Sequence, residues 1–172
     1  MIATVSEKFE RRATRLLREH GVVAPPVDVE GVAKALGISV NYERLDNDVS
    51  GLMLVENDVA RVAINESHHR NRQRFTLAHE IGHLLLHTKG DRVFVDRRFF
   101  RNQWSSKGEL REEIEANAFA ASLLMPRSLI EQYLETEGGI TDTDVFRLAT
   151  RFEVSEQAMT LRLVKLNYIE PD

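Results

Sequence analysis

The chain has 172 residues, which is enough for one compact domain with a core that can hold a rigid site. It contains no cysteine, which excludes disulfide scaffolds and zinc-thiolate sites and is typical of a reducing cytoplasm. The net charge of −4 gives no overall attraction for nucleic acid. No apolar run is long enough to span a membrane, and the first ten residues lack the basic start and apolar run of a secretory signal. We therefore expect a cytoplasmic protein without a membrane partner.

The N-terminal part of the chain predicts helices followed by strands. The pattern of apolar residues predicts two helices and then three strands, at residues 6–20, 27–36, 38–43, 51–55 and 59–64. Gly21 and Gly37 end the two helices. Asn57-Asp58 separates the last two strands and favours a β-hairpin. The expected result is a small three-stranded antiparallel sheet.

The segment His79-Glu80-Ile81-Gly82-His83 carries the strongest functional signal. Residues four apart on a helix lie one turn above each other, so both imidazoles can bind one metal ion. Glu80 lies on the flank of the same face, where it can act as a general base towards metal-bound water. The residues around this segment, from 75 to 87, are apolar except for Thr76 and His87. This pattern predicts a helix that is buried on most sides. Buried ionisable groups need a partner, so a metal site is favoured over an amphipathic helix whose histidines face water.

A third metal ligand is expected further along the chain, because catalytic zinc usually has three protein ligands. The next helix is predicted over residues 109–125. It begins with a capping box formed by Ser106 and Glu109, and it ends before Pro126. This helix carries four glutamates, and the helical period predicts on which face of the helix each of them lies.

A turn of about 100° per residue ranks the polar residues of this helix. Glu115 and Ser122 fall together on the predicted solvent side, whereas Glu113 and Asn117 fall on the predicted buried face. Glu113 is therefore the preferred third ligand, and Glu112, at the edge of the same face, is the second choice. Asn117 either orients a metal-bound histidine or is an ordinary buried amide bonded to the backbone.

Two runs of the sequence together resemble the ImmA/IrrE family of bacterial and phage metallopeptidases. The first is residues 74–87, and the second is Glu113-x-Glu115-Ala116-Asn117-x-Phe119-Ala120 followed by Leu123-Leu124-Met125-Pro126. The likeness extends upstream to residues 27–38 and to Ser50-Gly51. The resemblance implies a thermolysin-like centre with His79, His83 and Glu113 as zinc ligands and Glu80 as the catalytic base. It also implies a protein substrate, since characterised members cleave helix-turn-helix transcriptional repressors and so release mobile-element or DNA-damage-response genes.

Two basic clusters, at residues 68–74 and 97–104, leave a choice between ligand binding and a structural role. Arginines with aromatic neighbours can bind nucleic acid or an acidic peptide. More often such clusters are solvated helix starts, or loops anchored by their aromatic residues, and this is the favoured interpretation. The second cluster lies in the long connection between the metal-binding helices, where it can contact substrate.

The C-terminal third is predicted to be helical, with the helices at residues 127–135, 143–152 and 155–166 and a break at Gly138-Gly139. The last two helices resemble a helix-turn-helix, with Ser155 as the cap of the second helix. A DNA reader would carry basic residues at the start of that helix, but here only Arg162 and Lys165 follow later. We interpret the hairpin as a packing unit, and direct binding of nucleic acid is not expected.

The sequence thus predicts a single α+β domain over residues 1–172. Its three parts are N-terminal helices with a small sheet, a thermolysin-like helical zinc core, and a C-terminal helical hairpin, at residues 1–66, 67–126 and 127–172. The predicted function is that of a zinc-dependent endopeptidase, with manganese as a possible metal, that cleaves a helix-turn-helix repressor. The alternative is a DNA-binding or partner-binding regulator with a structural or sensory zinc site.

An endopeptidase also needs a donor for the oxyanion of the tetrahedral intermediate. His87, one turn beyond His83, is the best local candidate, although a neutral core histidine is its favoured role. Tyr42, His68 and His69 are weaker candidates.

Overall fold

The computed structural model of the chain describes residues 5–97, 107–134 and 139–170. Within these ranges the helices are α1 (Val5–Glu19), α2 (Val29–Ala35), α3 (Arg70–His87), α4 (Lys107–Leu124), α5 (Arg127–Tyr133), α6 (Asp142–Phe152) and α7 (Glu156–Lys165). The strands are β1 (Ser39–Glu43), β2 (Val49–Glu56), β3 (Val59–Asn65) and β4 (Arg92–Arg97). The predicted α+β class is therefore confirmed.

The chain divides into two compact units. One unit, Asp28–Ala120, contains the sheet, α2, α3 and most of α4. The other combines Met1–Val27 with Ala121–Asp172 and contains α1 and the three C-terminal helices. The single domain expected from the sequence stays a prediction.

The sheet has four strands in the order β1-β3-β2-β4. β2 and β3 form the predicted antiparallel hairpin, and its turn residues Asn57 and Asp58 have φ values of 50° and 62°, as a two-residue hairpin turn requires. β1 pairs with β3 in parallel, and β4 pairs with β2 in antiparallel orientation. The predicted three-stranded antiparallel sheet is therefore wrong in two respects. The alternation that indicates a half-buried strand holds for parallel and antiparallel pairs alike, and β4 lies in the segment that the sequence predicts as a connection between α3 and α4.

α3 is the central helix of the Asp28–Ala120 unit and packs on β2, β3, β4 and α2. Inward side chains of β2 and β3 and three apolar side chains of α3 are almost completely buried, namely Met53, Val55, Val62, Ile64, Leu77, Ala78 and Ile81. The strand β2 approaches α3 closely at Gly51, where a Cβ atom would lie 2.6 Å from Cγ2 of Thr76. This position therefore requires glycine for steric reasons, and the sheet rests directly on the helix that carries the histidines.

In the second unit, α6 and α7 pack together as the predicted helical hairpin. Ser155 caps α7, since its Oγ accepts a hydrogen bond of 3.1 Å from the backbone N–H of Ala158. Arg162 is only 2% exposed; its guanidinium donates to the carbonyl of Met125 at 2.9 Å and pairs with the carboxylate of Glu10. A buried, paired arginine is not free to contact DNA, which supports the interpretation of the hairpin as a packing unit.

None of the helices in the described ranges is both long enough and apolar enough to cross a lipid bilayer.

The ion pair of Arg162 yields a prediction about stability. Replacing Arg162 by Ala should lower the free energy of unfolding by about 3–5 kcal/mol, because it removes the ion-pair partner of Glu10 and the hydrogen-bond donor to the buried carbonyl of Met125. Arg147→Ala is the matched control, since Arg147 pairs with Asp144 at the surface of the same hairpin and should contribute less than about 1 kcal/mol. Denaturant unfolding of both variants measures the difference, and equal losses would contradict the assignment.

Candidate metal centre

The residues of the His-Glu segment lie on the buried side of α3. His79 is 3% exposed, Glu80 0% and His83 2%. The helix begins at Arg70, earlier than the predicted residue 75, and His69 caps it by accepting a hydrogen bond of 3.2 Å from the N–H of Asn71. The expectation of a helix buried on most sides is correct for residues 76–83.

The structure brings the two histidines and Glu113 together. The Nε2 atoms of His79 and His83 are 2.9 Å apart. The carboxylate of Glu113, which comes from α4, lies across from them, with Oε2 at 3.2 Å from His79 Nε2 and Oε1 at 3.1 Å from His83 Nε2. One ligand atom from each of the three residues lies within 4.8 Å of the others. Two imidazoles and one carboxylate are the donor set of a catalytic zinc site of the His₂Glu type.

Asn117 fixes the orientation of the first histidine. Its Oδ1 is 3.1 Å from Nδ1 of His79, so the ring donates from Nδ1 and turns the lone pair of Nε2 towards Glu113 and His83. Asn117 lies one turn beyond Glu113 on α4, and one helix therefore provides both the carboxylate and the amide. The ring of His83 is held differently, by stacking on Phe94 of β4 with ring centres 4.6 Å apart.

Glu80 is a fully buried carboxylate, and neither of its oxygens has a hydrogen-bond partner among the described residues. Burial raises the pKa of Glu80 to about 8; the charge of His79 opposes this shift, while Asp96 and Glu113 add to it. An unpaired carboxylate in such a place is costly to the fold. It is also a group that can accept a proton at neutral pH.

The electrostatics of the cluster favour positive charge between the ligand atoms. Burial alone lowers the pKa of His79, but the hydrogen bond to Glu113 and the charges of Glu80 and Asp96 outweigh it and raise the pKa to about 9. Burial raises the pKa of Glu113, yet its bonds to the two histidines hold that pKa well below its usual range. The histidine nitrogens face each other at 2.9 Å, which two neutral lone pairs disfavour. A divalent cation satisfies all three ligands, so the residues fit a metal ion.

Gly82 allows α4 to approach α3. A Cβ atom at Gly82 would lie 3.1 Å from the carbonyl oxygen of Ala116, 3.2 Å from its Cα and 3.3 Å from the ring of Phe119. Since Ala116 lies between Glu113 and Asn117 on α4, this close contact sets how near both side chains come to the histidines.

Two of the expectations for α4 need correction. Ser122 is 2% exposed and therefore does not mark a solvent side, and Glu113 is not on a buried face, because its side chain is 48% exposed. The C-terminal half of α4 is buried on several sides, whereas Leu110 and Ile114, close to Glu113, are 52% and 57% exposed. A projection that treats the whole helix alike therefore misplaces these residues. Glu112, the second choice as ligand, instead forms an ion pair of 2.9 Å with Arg92.

None of the four candidate oxyanion donors belongs to the three-residue cluster among the described residues. Nε2 of His87 is buried without a hydrogen bond, 3.8 Å from Glu115, and burial lowers the pKa of this histidine. Tyr42 donates to Glu30 at 2.6 Å. His68 lies 3.4 Å from the carbonyl of Asn47, and His69 caps α3, as described above.

The first basic cluster has a structural role where it is described. Arg72 donates to Ser50 at 2.6 Å, Arg70 lies 3.9 Å from Glu30, and Arg74 is 5% exposed. These contacts agree with the favoured interpretation of a helix start. The second cluster, apart from the backbone of Arg97, lies outside the described residues, as do Ser106 and Gly138.

Sequence reasoning missed the contribution of β4. The strand supplies Arg92, which holds Glu112, and Phe94, which stacks on His83, and it places Asp96 near His79 and Glu80. The short β-branched and aromatic run Val93-Phe94-Val95, which follows Gly90-Asp91, was the available signal.

The sequence matches the model of a protein family, Peptidase_M78, described as the IrrE N-terminal-like domain, over residues 33–164. The radiation response metalloprotease IrrE of Deinococcus deserti is 38% identical over 145 residues, which cover 84% of this chain and 49% of that protein. The protein of the same name from Deinococcus radiodurans is 35% identical over 106 residues, which cover 60% of this chain and 30% of that protein. The chain thus spans half or less of these two relatives.

Two further similarities extend the comparison. The uncharacterized immunity region protein 2 of Bacillus phage phi105 is 28% identical over 115 residues, which cover 66% of this chain and 68% of that protein. A solved structure described as a Mycobacterium tuberculosis transcriptional regulator superposes with a TM-score of 0.60 at 21% identity, over 92% of this chain and 46% of that one. At this identity the structural likeness concerns the fold alone.

The geometry of the cluster predicts which residues control metal content. Replacing His79, His83 or Glu113 by Ala should lower bound zinc about ten-fold or more, because each change removes one of three ligands. Glu112→Ala is the matched control: its carboxylate is held by Arg92, so zinc content should stay at the parent level. Metal analysis of the purified variants provides the measurement. Full zinc content in Glu113→Ala together with loss of zinc in Glu112→Ala would show that Glu112, and not Glu113, is the metal ligand from α4. The assignment of His79 and His83 as ligands would be unaffected.

The close contact at Gly82 generates a second prediction. Gly82→Ala should weaken zinc binding about ten-fold and reduce the free energy of unfolding by about 1–3 kcal/mol, because the new methyl group pushes α4 away from α3. Helix propensity acts in the opposite direction, favouring Ala over Gly by about 1 kcal/mol. Zinc titration and denaturant unfolding report the two effects. A variant that is more stable and binds zinc as tightly as the parent would show that a methyl group fits between α3 and α4 at this position.

Proposed function

The chain belongs to the IrrE N-terminal-like family of metallopeptidases, as the resemblance of its two motifs implied, and on this premise we propose that it is a zinc-dependent endopeptidase. Manganese is the alternative metal. His79, His83 and Glu113 would hold the ion, and Glu80 would be the catalytic base. The observation that carries this proposal is the fully buried, unpaired carboxylate of Glu80 beside three converging ligand atoms.

The chemistry can be assigned to the residues of the site. When bound, the ion supplies the positive charge that acidifies water and polarises a peptide carbonyl. Glu80 accepts the proton of the attacking water and later delivers it to the leaving amine. Asn117 holds the ring of His79, and Phe94 holds the ring of His83, so the site is preorganised. The apolar packing around α3 keeps Glu80 out of bulk water, which sustains its raised pKa.

The strand β4 offers a way to hold a peptide across the site. Among the described strands it pairs only with β2, and we propose that its second edge pairs with the backbone of an extended peptide. Phe94 on this strand contacts His83, so β4 lies beside one of the three converging residues. Main-chain pairing of this kind orients a scissile carbonyl with little demand on the peptide sequence.

We infer that the target is a helix-turn-helix transcriptional repressor in the cytoplasm, and that cleavage derepresses mobile-element or stress-response genes. The support is the resemblance of the motifs, together with relatives whose names refer to a radiation response and to a phage immunity region. A peptide must lie extended to pair with a strand, so an unfolded or extended segment of the repressor is the expected cleavage point.

A regulator with a purely structural or sensory zinc site is the less favoured alternative. Structural zinc usually has four protein ligands in a closed site, whereas the described residues converge as three. Glu113 is half exposed, which leaves an approach to the cluster from solvent. DNA reading is disfavoured by the buried ion pair of Arg162.

The proposal is tested by incubating the zinc-loaded protein with the repressor encoded beside its gene. We expect defined fragments from the parent protein and a rate at least about a thousand-fold lower for Glu80→Gln, because the amide keeps the shape of the side chain but cannot accept the proton. Glu43→Gln, the same change at an exposed position of β1, is the matched control and should cut at the parent rate. Zinc content should be equal in all three proteins. Comparable cleavage by Glu80→Gln would remove this residue from the mechanism.

A further inference from the structure

The strand β4 presents two kinds of residue to its two faces. Val93 and Val95 point away from the core and are 63% and 44% exposed. Phe94 lies on the opposite face, is 9% exposed and stacks on His83. Side chains alternate along a strand, so Asp96 shares the face of Phe94. The carboxylate of Asp96 therefore belongs to the face of β4 that is turned to the metal ligands.

The register of the sheet locates Asp96 along α3. Asp96 is the partner of Gly51 on β2, and Gly51 is the residue that packs directly on Thr76. Phe94, two residues earlier on β4, contacts His83. Thr76 and His83 lie almost two turns apart on α3, with Glu80 between them. Asp96 thus lies above the part of the helix that carries the catalytic base. The electrostatic influence of Asp96 agrees, since its charge raises the pKa of both Glu80 and His79.

Three acidic residues of α4 near the centre have protein partners, whereas Asp96 has no hydrogen-bond or ion-pair partner in the described part of the chain. Glu112 pairs with Arg92, Glu115 pairs with Arg111, and Glu113 faces the histidines. No side-chain hydrogen bond or ion pair joins Asp96 to another described residue, although it is partly buried. The carboxylate of Asp96 is therefore open to solvent and to a ligand that approaches β4.

The place of Asp96 in the sheet indicates what it can bind. Its partly exposed carboxylate lies on the edge strand, on the side where a peptide would pair. A cationic side chain of the peptide is the complementary group, because a charge-assisted hydrogen bond to a half-buried carboxylate discriminates strongly between positive and negative side chains.

We propose that Asp96 is a specificity-determining residue that binds a lysine or arginine side chain of the substrate close to the scissile bond. This inference rests on the proposed peptidase function and concerns the choice of substrate. It predicts that the cleaved segment carries a basic residue at one defined position.

The test uses the zinc-loaded protein and quenched-fluorescent peptides. A peptide library identifies a cleavable sequence, which is then made with Arg, Gln or Glu at each of the four positions nearest the cut. At one of these positions kcat/KM should be about ten-fold higher for Arg than for Gln, and lower again for Glu. Asp96→Asn should bring the Arg to Gln ratio close to one, and Asp96→Lys should favour Glu. Asp58→Asn, which removes a charge from the hairpin turn at the opposite end of β2, is the matched control and should keep the parent ratio.

Binding separates this inference from the peptidase proposal. The anisotropy of the same peptides, labelled, is measured with zinc-loaded Glu80→Gln and with Glu80→Gln combined with Asp96→Asn. A preference for Arg in the first protein and its loss in the second would support the role of Asp96, whether or not the parent cuts a peptide. Absence of cleavage by the parent would count only against the proposed peptidase activity. An equal loss of kcat/KM for all three peptides in Asp96→Asn, with no change in their ratio, would mean that Asp96 acts on Glu80 and would overturn the inference. A preference for Arg that survives in Asp96→Asn would overturn it as well.

Discussion

Burial of ionisable side chains on α3 is the constraint on which the site depends. His79, Glu80 and His83 lie under the sheet with almost no exposed surface, where an uncompensated charge or an unpaired polar group is costly. Glu113 compensates the histidines in part, but it adds a negative charge of its own, and Glu80 has no partner among the described residues. A cation between the ligand atoms offsets these costs together. The stability of the unit that contains this cluster and its proposed activity therefore have the same physical origin.

Two glycines determine how closely the neighbouring elements approach this helix. Gly51 lets β2 lie against Thr76, and Gly82 lets α4 lie against α3 at Ala116. The first contact positions the sheet, and through its register the strand β4, over the part of α3 that carries Glu80. The second brings Glu113 within 3.2 Å of the histidine nitrogens. The half-exposed carboxylate of Glu113 marks the side from which solvent and a substrate can enter.

Local patterns predicted more of this arrangement than long-range ones. The spacing of the two histidines and the turn at Asn57-Asp58 depend on a few neighbouring residues, and both features are present as expected. The parallel pairing of β1 with β3 depends on contacts distant in sequence, which the alternation of side chains does not encode. The burial of Ser122 was missed because α4 is covered on more than one face. The position of Asp96 above α3 follows only from the register between β4 and β2.

The most direct test of the central claim is anomalous diffraction at the zinc edge from crystals of the zinc-loaded protein. The account predicts one strong peak within about 2.0–2.2 Å of Nε2 of His79, Nε2 of His83 and a carboxylate oxygen of Glu113. Glu80 should approach the ion without being a ligand. A peak bound by Glu80 or Glu112 in place of Glu113, or a zinc-loaded protein with no peak between the histidines, would contradict the account.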